Sequence, residues 1–169
     1  MRLSILIIIA FFSAILTPTH ASNFNLDTGF AADASKYNKT LINAVSKAGT
    51  RLIGVGIHGI IIYSDDNGTN WEQATVPTTK TLTDIDCVNK NVCWATGHDA
   101  YILKTTDRGQ NWIIQYQDEI FDAPLLSISM FNENAGIAVG AFAKSLMTTD
   151  GGNTWKDFFV TEDEFQPHL

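Results

Sequence analysis

Three aspartates stand out first, because each sits in the same surroundings. Ser64-Asp65-Asp66-Asn67-Gly68-Thr69-Asn70-Trp71, Thr105-Thr106-Asp107-Arg108-Gly109-Gln110-Asn111-Trp112 and Thr148-Thr149-Asp150-Gly151-Gly152-Asn153-Thr154-Trp155 share the pattern Ser/Thr-x-Asp-x-Gly-x-x-Trp. The tryptophans fall 41 and 43 residues apart. A carboxylate held in a loop could serve as an acid or base, or could ligate calcium. It could equally accept backbone N–H bonds across a tight turn. The neighbours favour the second role. Gly68, Gly109 and Gly152 suit a positive-φ position, and each Trp is suited to burial between sheets with its N–H seeking a partner. Residues repeated in every unit serve what every unit shares, its fold, so Asp66, Asp107 and Asp150 read as structural.

Other chemistry is sparse. Cys87 and Cys93 end one expected strand and begin the next, close enough across the turn for a disulfide, with two buried thiols as the alternative. No Cys-x-x-Cys, Gly-x-Ser-x-Gly, phosphate-cradling loop or His-x-x-x-His occurs. His58 and His98 lack a third metal ligand, so no metal, cofactor or catalytic residue is assigned. A glycosidase needs only two carboxylates about 5–9.5 Å apart, and 18 acidic residues make such a pair uninformative.

The elements that must carry these residues are short strands. The first copy offers 41–48, 51–57, 60–64 and 70–76, the second 82–88, 92–97, 101–106 and 111–115, and the third 125–131, 135–140, 145–148 and 154–160. They are rich in Val, Ile, Thr, Tyr and Trp, with Gly, Asn and Asp at the joints. The fold class is all-β: a propeller of four-stranded antiparallel blades, with three blades at 41–81, 82–124 and 125–169. In such a meander the Asp-containing turns share one rim with the first-to-second strand turns. The opposite rim carries His58, His98-Asp99 and Phe142 at nearly equivalent positions, with the acidic links Gln117–Asp122 and Glu162–Phe165. That rim reads either as a docking face for a protein or as a solvated acidic edge.

Met1-Arg2, the apolar run Leu3–Leu16, the break at Thr17-Pro18 and the small residues Thr19 and Ala21 have the layout of an export signal over 1–21. The run is shorter than the roughly 20 residues of a membrane span. With 22–40 as an extension, the mature chain is expected to be soluble and exported, either periplasmic or secreted, without direct membrane insertion. A net charge of −7 and a pI near 4.8 argue against nucleic acid and anionic membranes as partners.

The repeated turn is the Asp-box, or BNR repeat, of sialidases and other propellers. Sialidases need an arginine cluster, and beyond the leader only Arg51 and Arg108 are present. Arg51-Leu-Ile-Gly-Val-Gly-Ile-His-Gly, Leu82-Thr-Asp-Ile, Trp94-Ala-Thr-Gly-His-Asp-Ala-Tyr-Ile-Leu and Gly136-Ile-Ala-Val-Gly-Ala-Phe are more selective. They resemble the photosystem II stability/assembly factor family and its bacterial relatives. The resemblance implies a non-enzymatic propeller of about seven blades, on the order of 290 residues, that binds protein and assists assembly of a membrane complex. It also implies a lumenal location in a photosynthetic host. Three blades would leave two apolar faces open, so missing blades or self-association are expected. A carbohydrate-binding or glycosidase-like BNR protein, and a non-functional truncated fragment, are the alternatives.

Overall fold

The computed structural model describes residues 29–34, 40–118, 120–121 and 123–158. The leader, most of the extension and the Glu162–Phe165 link lie outside the described residues. Among the described residues twelve strands form three four-stranded antiparallel meanders. The first sheet comprises β1 (Ile42–Ala48), β2 (Arg51–Gly56), β3 (Ile61–Ser64) and β4 (Glu72–Gln73). The second comprises β5 (Leu82–Cys87), β6 (Cys93–Gly97), β7 (Ile102–Thr105) and β8 (Ile113–Tyr116). The third comprises β9 (Leu125–Met130), β10 (Gly136–Gly140), β11 (Ser145–Thr148) and β12 (Lys156–Asp157). β1 packs beside β5 and β5 beside β9, so the first strands adjoin and the sheets fan outward as successive propeller blades.

The fourth strands are shorter than the sequence predicts, and the first has a clear cause. Past Ala74, whose N–H still donates to Ile61 O of β3 at 2.9 Å, the backbone leaves β3 and bonds to the next blade. Thr75 N–H donates to Gln110 O at 2.9 Å, and Trp112 N–H donates to Thr75 O at 3.0 Å. Backbone groups that would have extended β4 thereby tie two blades together.

The core lies between sheets. The second blade turns Leu82, Ile85, Ala95, Leu103 and Trp112 onto the first, against Ile53, Val55 and Ile61. The third turns Leu125, Ile128, Ala138, Leu146 and Trp155 onto the second, against Trp94 and Ile102. The two sets occupy the same positions when the β5–β6 and β9–β10 registers are matched. Ile42, Val45, Gly54, Ile62 and Trp71 hold those positions in the first blade.

Each first strand carries one residue skipped in its pairing: Asn43, Thr83 and Leu126. Such a bulge re-aims a side chain. Asn43 Nδ2 donates to Leu82 O at 2.7 Å, and Thr83 Oγ1 donates to Leu125 O at 2.6 Å. Asp84 and Asp86 add to the second seam by accepting from the Ile128 and Met130 backbone N–H groups.

Candidate functional site

The two rims differ in what they can do, and the Asp-box rim is built from local bonds. In the first box Ser64 Oγ donates to Asp66 Oδ1 at 2.8 Å and accepts from Gly68 N–H at 2.9 Å. Thr105 and Asp107, and Thr148 and Asp150, repeat this arrangement with Gly109 and Gly152. The residue before each Trp, left unspecified in the sequence pattern, completes the turn. Asn70 donates its backbone N–H to Asp66 Oδ1 and its amide to Oδ2. Asn111 and Thr154 do the same for Asp107 and Asp150. The amide or hydroxyl common to those three positions is the signal that marks them.

These donors favour the charged carboxylate. Asp66 is lowered to about 2, chiefly by the Asn70 backbone N–H. Asp150 is lowered to about 2, chiefly by its bond with the Thr154 side chain. Burial pulls Asp107 upward, but bonds from Asn111 outweigh it and hold the group below its ordinary value. Carboxylates so saturated with donors are poor general bases, which suits them to holding the turn.

Trp71 and Trp112 each donate the indole N–H to the box glycine carbonyl at 3.0 Å. Trp155 departs: its Nε1 is buried beside Gly152 with Trp94 Nε1 and Gln115 Oε1. A Cβ on Gly152 would stand 2.7 Å from Gln115 Oε1, so glycine is needed there for space as well as for its φ of +87°.

The two arginines among the described residues also belong to this rim. Arg51 is 4% exposed, pairs with Asp65, stacks 4.2 Å over the Tyr63 ring and donates to Arg108 O at 3.0 Å. Its bond to Asp65 raises its pKa further. Arg108 reaches the same carboxylate at 3.4 Å. At the following seam Lys104 forms a comparable bridge, donating to Gly151 O at 2.7 Å. The arginines therefore knit neighbouring boxes rather than line a substrate site.

Cys87 and Cys93 are directly paired across β5 and β6 and joined by a disulfide, with Cα atoms 4.1 Å apart. Cys93 is fully buried against the first blade. Among the described residues no three of His, Cys, Asp and Glu gather as metal ligands would.

The opposite rim is made of the β2–β3 turn and its two repeats. In each, two successive residues take positive φ: His58 and Gly59, Asp99 and Ala100, Phe142 and Ala143. Ile60, Tyr101 and Lys144 N–H donate back to Ile57, His98 and Ala141 O, as in a type I′ turn. His58, Asp99 and Phe142 thus share one position, while His98 lies one residue earlier, where the other blades have Ile57 and Ala141. Five of these six residues have a Cβ in a region that disfavours one, as the type I′ geometry of the turn requires.

Around the turns sit polar and aromatic groups. Lys80 pairs with Asp99. Lys144 pairs with Asp157 at 2.9 Å and Asp118 at 3.3 Å, and lies 4.9 Å from the Phe121 ring centre. Burial opposes its charge, yet the bond to Asp157 and the other partners raise its pKa. No sequence pattern announces this cluster. Phe142 projects with 84% of its surface exposed. From the extension, Ala32 N–H donates to His58 O at 3.1 Å. The rim can offer an aromatic contact, carboxylates and turn edges to a partner.

A family model described as photosynthesis system II assembly factor YCF48 matches residues 63–163. The structure is similar to that of YCF48 bound to a D1 peptide, at 20% identity and a TM-score of 0.62, covering 70% of this chain and 40% of that one. It is similar to YCF48 from Cyanidioschyzon merolae at 19% identity and a TM-score of 0.60, covering 70% and 39%. A GH74 xyloglucanase from Xanthomonas campestris shares 13% identity at a TM-score of 0.55, covering 69% and 23%. At these identities the likeness is one of fold. The chain spans about 40% of the length of the two YCF48 structures. None of the curated proteins matches it.

Proposed function

The chain belongs to the photosynthesis system II assembly factor YCF48 family, and on that premise we propose that it is an exported, non-enzymatic scaffold. In this reading it binds a segment of a membrane-protein subunit while a complex is assembled. The observation that carries the reading is the row of three left-handed rim turns, which present His58, Asp99 and Phe142 at one repeated position. A phenylalanine held 84% exposed at the end of that row suits a surface that contacts a partner. The D1 peptide bound to YCF48 supports a peptide as that partner. The box carboxylates are committed to turn donors and the arginines to Asp65, which supports binding over catalysis. The leader over 1–21 supports a periplasmic or lumenal location.

Peptides from D1, titrated against the full chain by fluorescence anisotropy, test the proposal. Binding should weaken about tenfold in Phe142→Ala, an effect of roughly 1.4 kcal/mol. Absence of binding, or binding indifferent to both Phe142→Ala and Asp99→Ala, would overturn it. Xyloglucan oligosaccharide binding that disappears in Phe142→Ala would point to a carbohydrate ligand instead.

A further inference from the structure

The two seams between blades differ beneath the Asp-box. At the first seam Ile53 of β2 lies over the box glycine of the second blade, its Cδ1 2.6 Å from where a Cβ on Gly109 would stand. That contact is apolar. In the second blade Trp94 takes the place of Ile53: Ile53 pairs with Tyr63 and Trp94 with Lys104, each one residue before the box Ser or Thr. The Trp94 indole is fully buried and has the Lys104 ammonium 4.8 Å from its ring centre. Its Nε1 edge is turned toward Gly152 of the third box.

Two more polar atoms meet it there. Trp155 is 8% exposed, and its N–H makes no bond of the kind that Trp71 and Trp112 give their box glycines. Gln115 is a residue without a counterpart in the first blade. There Gln73 pairs with Ile62 and Ala74 bonds directly to Ile61, whereas the second blade inserts Gln115 between Ile114 and Tyr116, skipped in the pairing with β7. Such a bulge re-aims a side chain. Trp94 Nε1, Trp155 Nε1 and Gln115 Oε1 are all buried and hydrogen-bond to none of the described residues. They stand 3.0, 3.2 and 2.7 Å from the point where a Cβ on Gly152 would lie. Burying three such groups without partners is costly, and packing alone does not call for them, since isoleucine serves at the first seam.

We propose that these groups form a binding site for one buried water molecule. The water accepts from the Trp94 and Trp155 indole N–H groups and donates to Gln115 Oε1, tying β6, β8 and the third Asp-box together. Two donors and one acceptor ask for an occupant that both accepts and donates, and about three hydrogen bonds are what a buried water makes. An apolar occupant would leave all three groups unsatisfied, and an anion would face the Gln115 oxygen. Gly152 keeps the point clear, because alanine would set its Cβ among the three atoms. The site lies at the Asp-box rim, apart from the turns of His58, Asp99 and Phe142, so it does not depend on peptide binding.

Water-selective nuclear Overhauser and rotating-frame spectra of the full chain, isotope-labelled at tryptophan, test this. The Trp94 and Trp155 indole protons should each show a dipolar cross-peak to water. That of Trp112, which donates to Gly109 O at 3.0 Å, should show none. Trp94→Phe and Trp155→Phe assign the two signals. Gln115→Leu removes the acceptor, and both cross-peaks should disappear. Gln115→Met provides a second variant should the leucine chain fail to fold, as read by circular dichroism. Absence of the cross-peaks from the unaltered chain, or their persistence in a folded Gln115 variant, would overturn the proposal. With the Gln115 amide reversed, three N–H groups would face the site and suit a halide. A denaturation midpoint raised by chloride over gluconate at equal ionic strength, without water cross-peaks, would therefore overturn it in favour of an anion.

Discussion

The first and second blades carry the same box and differ in what lies beside it. Asp66 and Asp107 accept matching sets of bonds, and Trp71 and Trp112 donate to their glycine carbonyls at the same 3.0 Å. Yet Trp112 is 3% exposed and Trp71 41%. Hydrogen bonding within the turn is complete in either setting; burial of the indole depends on a preceding blade. The box therefore shapes a turn locally, and its tryptophan becomes a structural anchor only when another sheet covers it.

That contrast is open to direct attack. Trp112→Ala removes a side chain packed into the first seam and should destabilise the chain by about 3–5 kcal/mol in urea denaturation. Trp71→Ala should cost less than about half of that, since much of its surface already faces solvent. Equal losses would mean that Trp71 is covered in solution.

A smaller difference should separate two glycines. Gly68 and Gly109 have φ of +87° and +81°, so alanine at either costs about 1 kcal/mol of backbone strain. At Gly109 the new Cβ would also stand 2.6 Å from Ile53 Cδ1 of the first blade, whereas at Gly68 the nearest atom is Trp71 Cζ2 at 3.5 Å. Gly109→Ala should therefore be the more destabilising by about 1–2 kcal/mol. Identical denaturation midpoints would show that Ile53 yields freely.

The smallest effect should be one of pH, and here the open and covered boxes should agree. Folding lowers Asp66 and Asp150 to about 2 from an ordinary value near 3.8. A depressed carboxyl contributes stability that is fully present above its unfolded pKa and is lost as pH falls through the folded one. Denaturation midpoints measured from pH 5 to pH 2 should fall, and Asp66→Asn and Asp150→Asn should flatten that fall to similar degrees. If only Asp150→Asn did so, the box bonds would depend on the neighbouring blade after all.

Much of the repeat was legible because its bonds run between residues four or fewer positions apart. Ser64, Asp66, Gly68 and Asn70 close one turn among themselves, so their types and spacing suffice to announce it. The strands followed from the same periodicity. The length of β4 did not, because Thr75 bonds to Gln110 and Trp112 of the following blade, which no local pattern can reveal. The rim turns were legible in place but not in conformation. Gly59 suits a left-handed position, whereas Ala100 and Ala143 carry no such signature and adopt it to keep the hairpin register. The carboxylate and aromatic groups around Lys144 come from β8, the blade-to-blade link and β12, too far apart in sequence to be read together.

The sequence by itself thus determined the Asp-box chemistry, the four-stranded unit and the number of its copies, because each rests on short-range hydrogen bonds and alternating strand faces. Tertiary structure alone decided which tryptophan is buried and which bulge side chain crosses to the next blade. Those outcomes depend on the surface a neighbouring sheet supplies. Trp71 and Trp112 occupy the same motif and differ only in that neighbour.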